Sequence, residues 1–192
     1  MVAWPASPAN PEPARSSYDG RRMTLSEFEA LPEEKPYLQW WDGVVVQKAV
    51  PKRAHGRIQR LLLTLLDAYA REHGAEAWAE AHVWFEGHGY LVPDIAYWAP
   101  GKPEGDDERS LPPTLAVEIR SPSERQAGQR EKCRQMHANG VDVCWLVDPA
   151  SRTVELFEGA IEAEPLPADG ALTSPLLPGL RIPLADIWAV LA

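Results

Sequence analysis

The clearest hydrophobic pattern in this chain lies in residues 53–73. Its apolar side chains recur three or four positions apart, as they do on one face of a helix: Ile58, Leu61, Leu62, Leu65, Leu66 and Tyr69. Gly74 follows directly, and glycine readily adopts the left-handed conformation that ends many helices. The pattern therefore predicts one long helix with a single buried face.

Apolar and alternating runs elsewhere predict strands. Residues 37–47 form two β-rich runs on either side of Asp42-Gly43, a dipeptide typical of tight hairpins. Further runs rich in strand-forming residues occur at positions 77–85, 90–98, 114–119, 143–147 and 153–157. A second, polar helix is predicted from Ser121 to Asn139. This order favours a fold of the α/β or α+β class, in which helices flank a central mixed β-sheet.

The length of 192 residues suits one domain with terminal extensions. The N-terminal segment is dense in proline, alanine and serine, so we expect a disordered tail in residues 1–20 and a single domain in residues 21–192. Thr24 and Glu27 have the spacing of a capping box, which predicts a short helix near the start of this domain.

Composition narrows the class of protein. No window contains the roughly 18 consecutive apolar residues of a membrane span, and no signal peptide is evident, so we expect a cytoplasmic protein that does not contact membranes. The two cysteines, Cys133 and Cys144, lack the spacing of a zinc site and are predicted to be buried free thiols. The net charge of −9 argues against a protein that coats nucleic acid, but not against an enzyme that acts on it.

Two acidic residues stand out because each lies within an apolar strand pattern. Asp94 follows the run at 90–92, and Glu118 interrupts the run at 115–119. An unpaired charge is costly in such surroundings, so each carboxylate needs a partner. One divalent cation between them would compensate both charges, and oxygen ligands of this kind suit Mg²⁺ or Mn²⁺.

Lys132 lies on the predicted polar helix and can direct its ammonium group toward the same point. The three side-chain types suit phosphodiester hydrolysis, because carboxylates hold a metal while a lysine orients water or stabilises developing charge. A structural interpretation is also open, in which Asp94 ends a strand, Glu118 pairs with Arg120 or another base, and Lys132 is solvated. The spacing of these residues alone does not decide between the two.

A series of short motifs runs through the sequence in a fixed order: Met23-Thr24-Leu25, Asp42-Gly43, His55, Val92-Pro93-Asp94, residues 117–123, Lys132, Gly140-Val141, residues 145–149 and residues 177–180. The series resembles the Uma-two family of restriction-endonuclease-like proteins, a branch of the PD-(D/E)xK nuclease superfamily, over about residues 23–188. The resemblance implies a restriction-endonuclease-like core, a divalent metal and nuclease activity. It also implies that Lys132 is the lysine partner of the two carboxylates.

Two positions depart from the pattern that the resemblance implies. Arg120 stands two residues after Glu118, where the simplest superfamily pattern has lysine, and we keep it as a candidate contact for the scissile phosphate. Gln39 stands where relatives usually carry glutamate, and its amide supplies no negative charge to a metal. Glu80 is a further acid that would complete a metal shell with Asp94 and Glu118.

His55 has two interpretations. It lies at the start of the long helix among basic residues, where helix amides favour anions, and there it would contact a phosphate. Alternatively it caps the helix or packs against the core. The sequence leaves both open.

These observations predict a Mg²⁺- or Mn²⁺-dependent endonuclease acting on DNA, with Asp94, Glu118 and Lys132 as catalytic residues and with Asp94, Glu118 and Glu80 at the metal. The alternative is a catalytically impaired relative that binds nucleic acid or a protein. A third interpretation is a purely structural dimer. Trp40 and Trp41 are adjacent in a predicted strand and point to opposite faces, so one of them can mark a dimer surface, and we expect a homodimer.

Overall fold

A computed structural model describes residues 15–105 and 110–192 of the chain. Most of the tail predicted for residues 1–20 lies outside the described residues. Its last part, Ser16 to Gly20, contacts the hairpin: Gly20 N donates to Val45 O, and Gln47 N donates to a carboxylate oxygen of Asp19. The division into a tail and a single domain stays a prediction.

The described residues form helices α1 (Leu25–Glu29), α2 (Arg53–His73), α3 (Gln126–Ala138) and α4 (Leu184–Ala189). They also form strands β1 (Leu38–Trp41), β2 (Val44–Gln47), β3 (Glu76–Ala79), β4 (Val83–Phe85), β5 (Gly89–Leu91), β6 (Ile95–Trp98), β7 (Leu115–Ile119), β8 (Val143–Asp148), β9 (Thr153–Glu158), β10 (Ile161–Pro165), β11 (Ala171–Leu172) and β12 (Ile182–Pro183). The long helix, the Asp42-Gly43 hairpin and the capping box at Thr24 are all present as predicted. Within the described residues no helix is long and apolar enough to cross a membrane.

The main sheet has six strands in the order β10-β9-β8-β7-β6-β3. Its pairs are antiparallel except β7 and β8, which run parallel and are connected through α3. A second sheet has the order β2-β1-β5-β4, and β11 pairs with β12. The predicted class, a mixed sheet flanked by helices, is confirmed.

Helices cover both faces of the main sheet. Residues 117, 119, 145 and 147 pack in one core cluster with the apolar face of α2. Their neighbours at 116, 144 and 146 pack in a second cluster with Cys133 and Met136 of α3. Because both faces are buried, β7 and β8 read as continuous apolar runs rather than alternating ones. Cys133 and Cys144 are buried free thiols, as predicted.

Two predicted strands are each divided in the structure. The run at 77–85 becomes β3 and β4, and the run at 90–98 becomes β5 and β6, with β3 and β6 in the main sheet and β4 and β5 in the second. The first break follows β3 at Glu80, whose backbone is left-handed with a φ of 55°. The second break contains Pro93, which has no N–H for a strand ladder. Both breaks lie where the chain passes from one sheet to the other, and they bring Glu80 and Asp94 to this junction.

The adjacent tryptophans of β1 do not divide into one buried and one exposed ring. Trp40 is half-buried and its ring N–H donates to Met23 O at 2.9 Å, while Trp41 is half-buried and stacks on His88. Neither tryptophan of β1 is exposed, so these two residues do not support the expected homodimer.

Candidate active site at the junction of the two sheets

Asp94 directly precedes β6, and Glu118 lies on the neighbouring strand β7. Ile95 pairs with Val117 across β6 and β7, which brings Asp94 and Glu118 to the same end of this strand pair. The backbone N–H of Asp94 donates to Val117 O at 3.0 Å, so Asp94 stays next to β7. The two residues are only 2% and 3% exposed. Both residues line the same small cavity, so the two buried carboxylates are close neighbours.

Asp94 is held by three donors. Lys48 Nζ donates to Oδ1 at 2.8 Å, and the backbone N–H of Ile119 donates to Oδ2 at 2.7 Å. His55 Nε2 lies 3.0 Å from Oδ2, and because a carboxylate only accepts, Nε2 carries the proton. Burial alone would raise the pKa of Asp94, but Lys48 and His55 outweigh burial and hold the pKa well below its usual value. Asp94 is therefore a fixed anion.

Glu118 has the opposite shift. Lys132 Nζ lies 2.7 Å from Oε1 of Glu118, and the same ammonium donates to Val92 O at 3.1 Å. Burial nevertheless raises the pKa of Glu118 to about 7, and the negative charge of Asp94 acts in the same direction against the attraction of Lys132. Near neutral pH, Glu118 can therefore gain or lose a proton beside a carboxylate that stays ionised.

Lys48 is the site residue that sequence reasoning missed. It follows β2, its side chain is almost fully buried, and its ammonium contacts Asp94. Burial would lower the pKa of Lys48, but the nearby carboxylates of Asp94, Glu118 and Glu80 raise it above its usual value. A signal was available in the sequence, because Lys48 is the one charged residue between Asp42 and Lys52, in an otherwise apolar and amide-bearing stretch. Its contact with Asp94 depends on how the second sheet packs against the main sheet.

The two residues predicted to support the site lie in its wall. Gln39 is buried, and its side-chain oxygen accepts a hydrogen bond from Val92 N at 2.9 Å. Glu80 lies at the rim with a 41% exposed side chain, and its carboxylate is 3.8 Å from Lys48 Nζ. Its contact is thus with the lysine rather than with the two buried carboxylates.

Arg120 points away from this cluster. Its Nε donates to Oδ2 of Asp148 at 2.9 Å, its Nη2 donates to Oδ1 at 3.1 Å, and its Nη1 donates to Glu124 O. Pairing between Glu118 and Arg120, which the sequence had left open, is wrong. A contact between Arg120 and a scissile phosphate stays a prediction without geometric support.

Two cavities meet at the site. The smaller has a volume of about 20 Å³ and is lined by both carboxylates, both lysines, Gln39, His55 and Glu80, among others. A larger cleft of about 580 Å³ adjoins it and shares Gln39, Lys48 and Lys132. It lies between the β1-β2 hairpin and α3 and is lined by Trp41 of the hairpin and Arg125 before the helix. The small cavity is the inner end of an accessible cleft.

Comparison with protein families matches residues 25–185 to the Uma2 family, described as "putative restriction endonuclease". This chain belongs to the Uma2 family. The match covers nearly all of the predicted domain and confirms the family resemblance. No curated protein matches the chain significantly.

Among solved structures, the Uma2 chain is similar to a crystal structure described as a putative nuclease belonging to DUF820 from Anabaena variabilis. The two share 24% identity with a TM-score of 0.79, over 88% of this chain and 99% of the other, and this likeness supports the fold. A structure of a DrdV–DNA complex overlaps with a TM-score of 0.39 at 14% identity, over 69% of this chain and 10% of the other.

Restriction-endonuclease-like families generally use divalent metals, so the fit of such an ion to this Uma2 site can be tested. Among the described residues no three His, Cys, Asp or Glu side chains come together as a metal-binding group. The predicted trio of Asp94, Glu118 and Glu80 as metal ligands stays a prediction. Asp94 and Glu118 do fit as two ligands, because they are adjacent hard oxygen donors and hard cations commonly keep water in their other positions.

Proposed function

We propose that this chain is a divalent-metal-dependent endonuclease that hydrolyses phosphodiester bonds in DNA. Its membership of the Uma2 family supports a nuclease. The observation that carries the proposal is the placement of the buried carboxylates of Asp94 and Glu118 at one cavity, with Lys132 Nζ 2.7 Å from Glu118. Asp94, Glu118 and Lys132 are the proposed catalytic residues.

Asp94 and Glu118 would hold the metal, either Mg²⁺ or Mn²⁺. When bound, such an ion polarises a phosphoryl oxygen and lowers the pKa of its water. The donors from His55 and Ile119 N keep the Asp94 carboxylate in one orientation, so little reorganisation is needed. Lys132 forms an ion pair with Glu118, donates a hydrogen bond to Val92 O and lines the larger cleft. From this position its ammonium can orient the attacking water or stabilise charge on the phosphate.

The cleft of about 580 Å³ is the proposed approach for a DNA strand. Lys132 lies at its inner end and Arg125 at its wall, so cations flank the route to the carboxylates although the whole chain carries a net charge of −9. Phosphate contacts of this kind position a strand without reading its sequence. The proposal therefore concerns DNA as a polymer and names no recognition sequence.

The Asp94→Asn substitution tests the proposal. We expect a folded protein that has lost calorimetric binding of Mn²⁺ and cleavage of both single- and double-stranded DNA, because a neutral amide does not replace the charged ligand. Because the substitution leaves the Lys48 ammonium without its carboxylate, the double variant Asp94→Asn with Lys48→Met provides a second test. Asp142→Asn, on the partly exposed ion pair with Lys102, is the matched control and should keep wild-type activity. Cleavage that persists in the Asp94 variants would overturn the proposal.

A second candidate function is a nuclease-fold module that binds nucleic acid or protein without catalysis. The observation that favours it is charge balance, since Lys48 lies against Asp94 and Lys132 against Glu118. Two lysines compensate two carboxylates without any metal. The candidates separate in calorimetry, because the binding module should show no Mg²⁺ or Mn²⁺ affinity at near-physiological concentration yet retain affinity for DNA or a partner.

We also propose that the protein forms a homodimer, which is supported by the exposed apolar side chains of Ile161 and Leu176 at one cleft. Sedimentation velocity at micromolar concentration tests this. A single monomeric species would remove the homodimer without affecting the proposed chemistry.

A further inference from the structure

Lys48 brings a positive charge to the carboxylate that the proposed function assigns to the metal. Its Nζ lies 2.8 Å from Oδ1 of Asp94, and the side chain is 10% exposed. The opposite oxygen, Oδ2, already accepts hydrogen bonds from His55 and from Ile119 N. Oδ1 of Asp94 makes neither of these contacts and instead accepts a hydrogen bond from the Lys48 ammonium.

The Lys48 ammonium and a divalent metal would lie close together at Asp94. The cavity at this point measures about 20 Å³, little more than the roughly 10–15 Å³ that one water molecule needs. A hard divalent ion binds carboxylate oxygen at a distance of about 2.0–2.6 Å, and the Lys48 ammonium lies 2.8 Å from Oδ1. The two positive charges would therefore lie within a few ångströms of each other, where like charges repel. Binding of a metal at Asp94 therefore favours movement of Lys48 away from it.

Glu80 lies where a displaced Lys48 would find a new partner. Its Oε1 is 3.8 Å from Lys48 Nζ, so a shift of about one ångström brings the two groups to hydrogen-bond distance. Its backbone N–H donates to Asp94 O at 3.2 Å, which holds the residue beside the site. The backbone at Glu80 is left-handed, with a φ of 55°, which is uncommon for a residue other than glycine.

We propose that Lys48 is a tethered cation that competes with the divalent metal for Asp94, and that metal binding transfers its ammonium from Asp94 to Glu80. This inference rests on the metal site of the proposed function. It assigns Glu80 a role that differs from a metal ligand, because Glu80 acts through Lys48 as a positioning residue. Lys48 then sets the metal concentration at which the site becomes active.

Calorimetric titration of the full-length protein with Mn²⁺ tests the transfer. We expect Lys48→Met to tighten the dissociation constant for Mn²⁺ at least tenfold, because the competing charge is gone. Lys48→Gln provides a second variant that keeps a hydrogen-bond donor for Asp94 and should tighten binding in the same direction. Lys52→Met removes an exposed lysine nearby and should leave the constant unchanged. An unchanged or weaker affinity in both Lys48 variants would overturn the inference.

Glu80 is tested in two backgrounds. In the wild type, Glu80→Gln should weaken Mn²⁺ binding several-fold, because Lys48 loses its alternative partner. In the Lys48→Met protein the same substitution should have no effect, which is a non-additive double-mutant cycle. Equal weakening in both backgrounds would make Glu80 a direct ligand and overturn the transfer.

The outcomes separate this inference from the function on which it rests. Mn²⁺ binding by the wild type with no gain in the Lys48 variants overturns the competition alone. Tighter binding in the Lys48 variants without DNA cleavage by any variant supports the competition and overturns the endonuclease. Folded variants that all fail to bind Mn²⁺ overturn both.

Discussion

Nε2 of His55 lies 3.0 Å from Oδ2 of Asp94, so the first turn of α2 is tied directly to the start of β6. Both residues are buried, and the hydrogen bond is made to a charged acceptor. His55 thus has a definite role in orienting Asp94, where the sequence had left a phosphate contact and a packing role open. A substitution at His55 therefore measures how much this hydrogen bond contributes to the stability of the fold.

Replacing His55 with alanine should lower the free energy of unfolding by about 1.5–3 kcal/mol, since hydrogen bonds to charged groups are worth this much. Urea denaturation measures the loss. His88→Ala is the comparison variant, because His88 pairs with Asp42 at an exposed position, where such pairs contribute about 1 kcal/mol or less, and its other contact is stacking on Trp41. Equal losses of unfolding free energy in the two variants would mean that the contact with Asp94 stabilises the fold no more than the contacts of His88 do.

Glu118→Gln should change how stability depends on pH. The pKa of Glu118 is about 7 in the folded protein against an ordinary value of 4.5, so the folded state binds this proton more tightly than the unfolded chain. The resulting stability is fully present below about pH 4.5 and is lost as pH rises to about 7. The loss is on the order of 3 kcal/mol.

Thermal or urea unfolding at several pH values measures this slope. Glu118→Gln should lack it, whereas Glu164→Gln, at an exposed position on β10, should keep the wild-type slope. An identical slope in wild type and Glu118→Gln between pH 4.5 and 7 would contradict the assignment to Glu118.

Arg120→Ala should destabilise the protein without changing metal affinity. The substitution leaves the buried carboxylate of Asp148 without its two guanidinium hydrogen bonds, which costs about 1.5–3 kcal/mol. Because burial would raise the pKa of Asp148 and Arg120 lowers it, the loss should grow as Asp148 becomes fully ionised above its usual pKa. Mn²⁺ calorimetry on the same variant should give the wild-type constant. A large drop in Mn²⁺ affinity would instead mean that Arg120 contributes to the metal site.

Gly89→Ala should destabilise the pairing of β1 with β5. A Cβ at Gly89 would lie 2.2 Å from Trp40 O and 2.3 Å from a ring carbon of Trp40, and the backbone φ is +137°. We expect a loss of about 2 kcal/mol or more, as for other overpacked sites. Gly56→Ala is the contrast: its Cβ would meet nothing within 4 Å, and a helical alanine should gain roughly 0.5–1 kcal/mol. Denaturant midpoints of the two variants should therefore move in opposite directions.

The divided strands show where local pattern reasoning fails. Residues 77–85 and 90–98 are each rich in strand formers, and nothing in their composition says that one run serves two sheets. The left-handed Glu80 was not foreseeable, because a non-glycine residue adopts that conformation only when its surroundings hold it there. Pro93 was visible in the sequence and is the better warning of a break.

The sequence by itself determined the long helix, the hairpin, the class of fold and the choice of Asp94 and Glu118 as unusual residues. These follow from local periodicity and from the cost of a charge in an apolar strand. Only the tertiary structure decided that the two carboxylates line one cavity, that Lys132 rather than Arg120 pairs with Glu118, and that Lys48 contacts Asp94. Strand register and the packing of one sheet against another bring together residues that are far apart in the chain. Local sequence patterns therefore do not show these contacts.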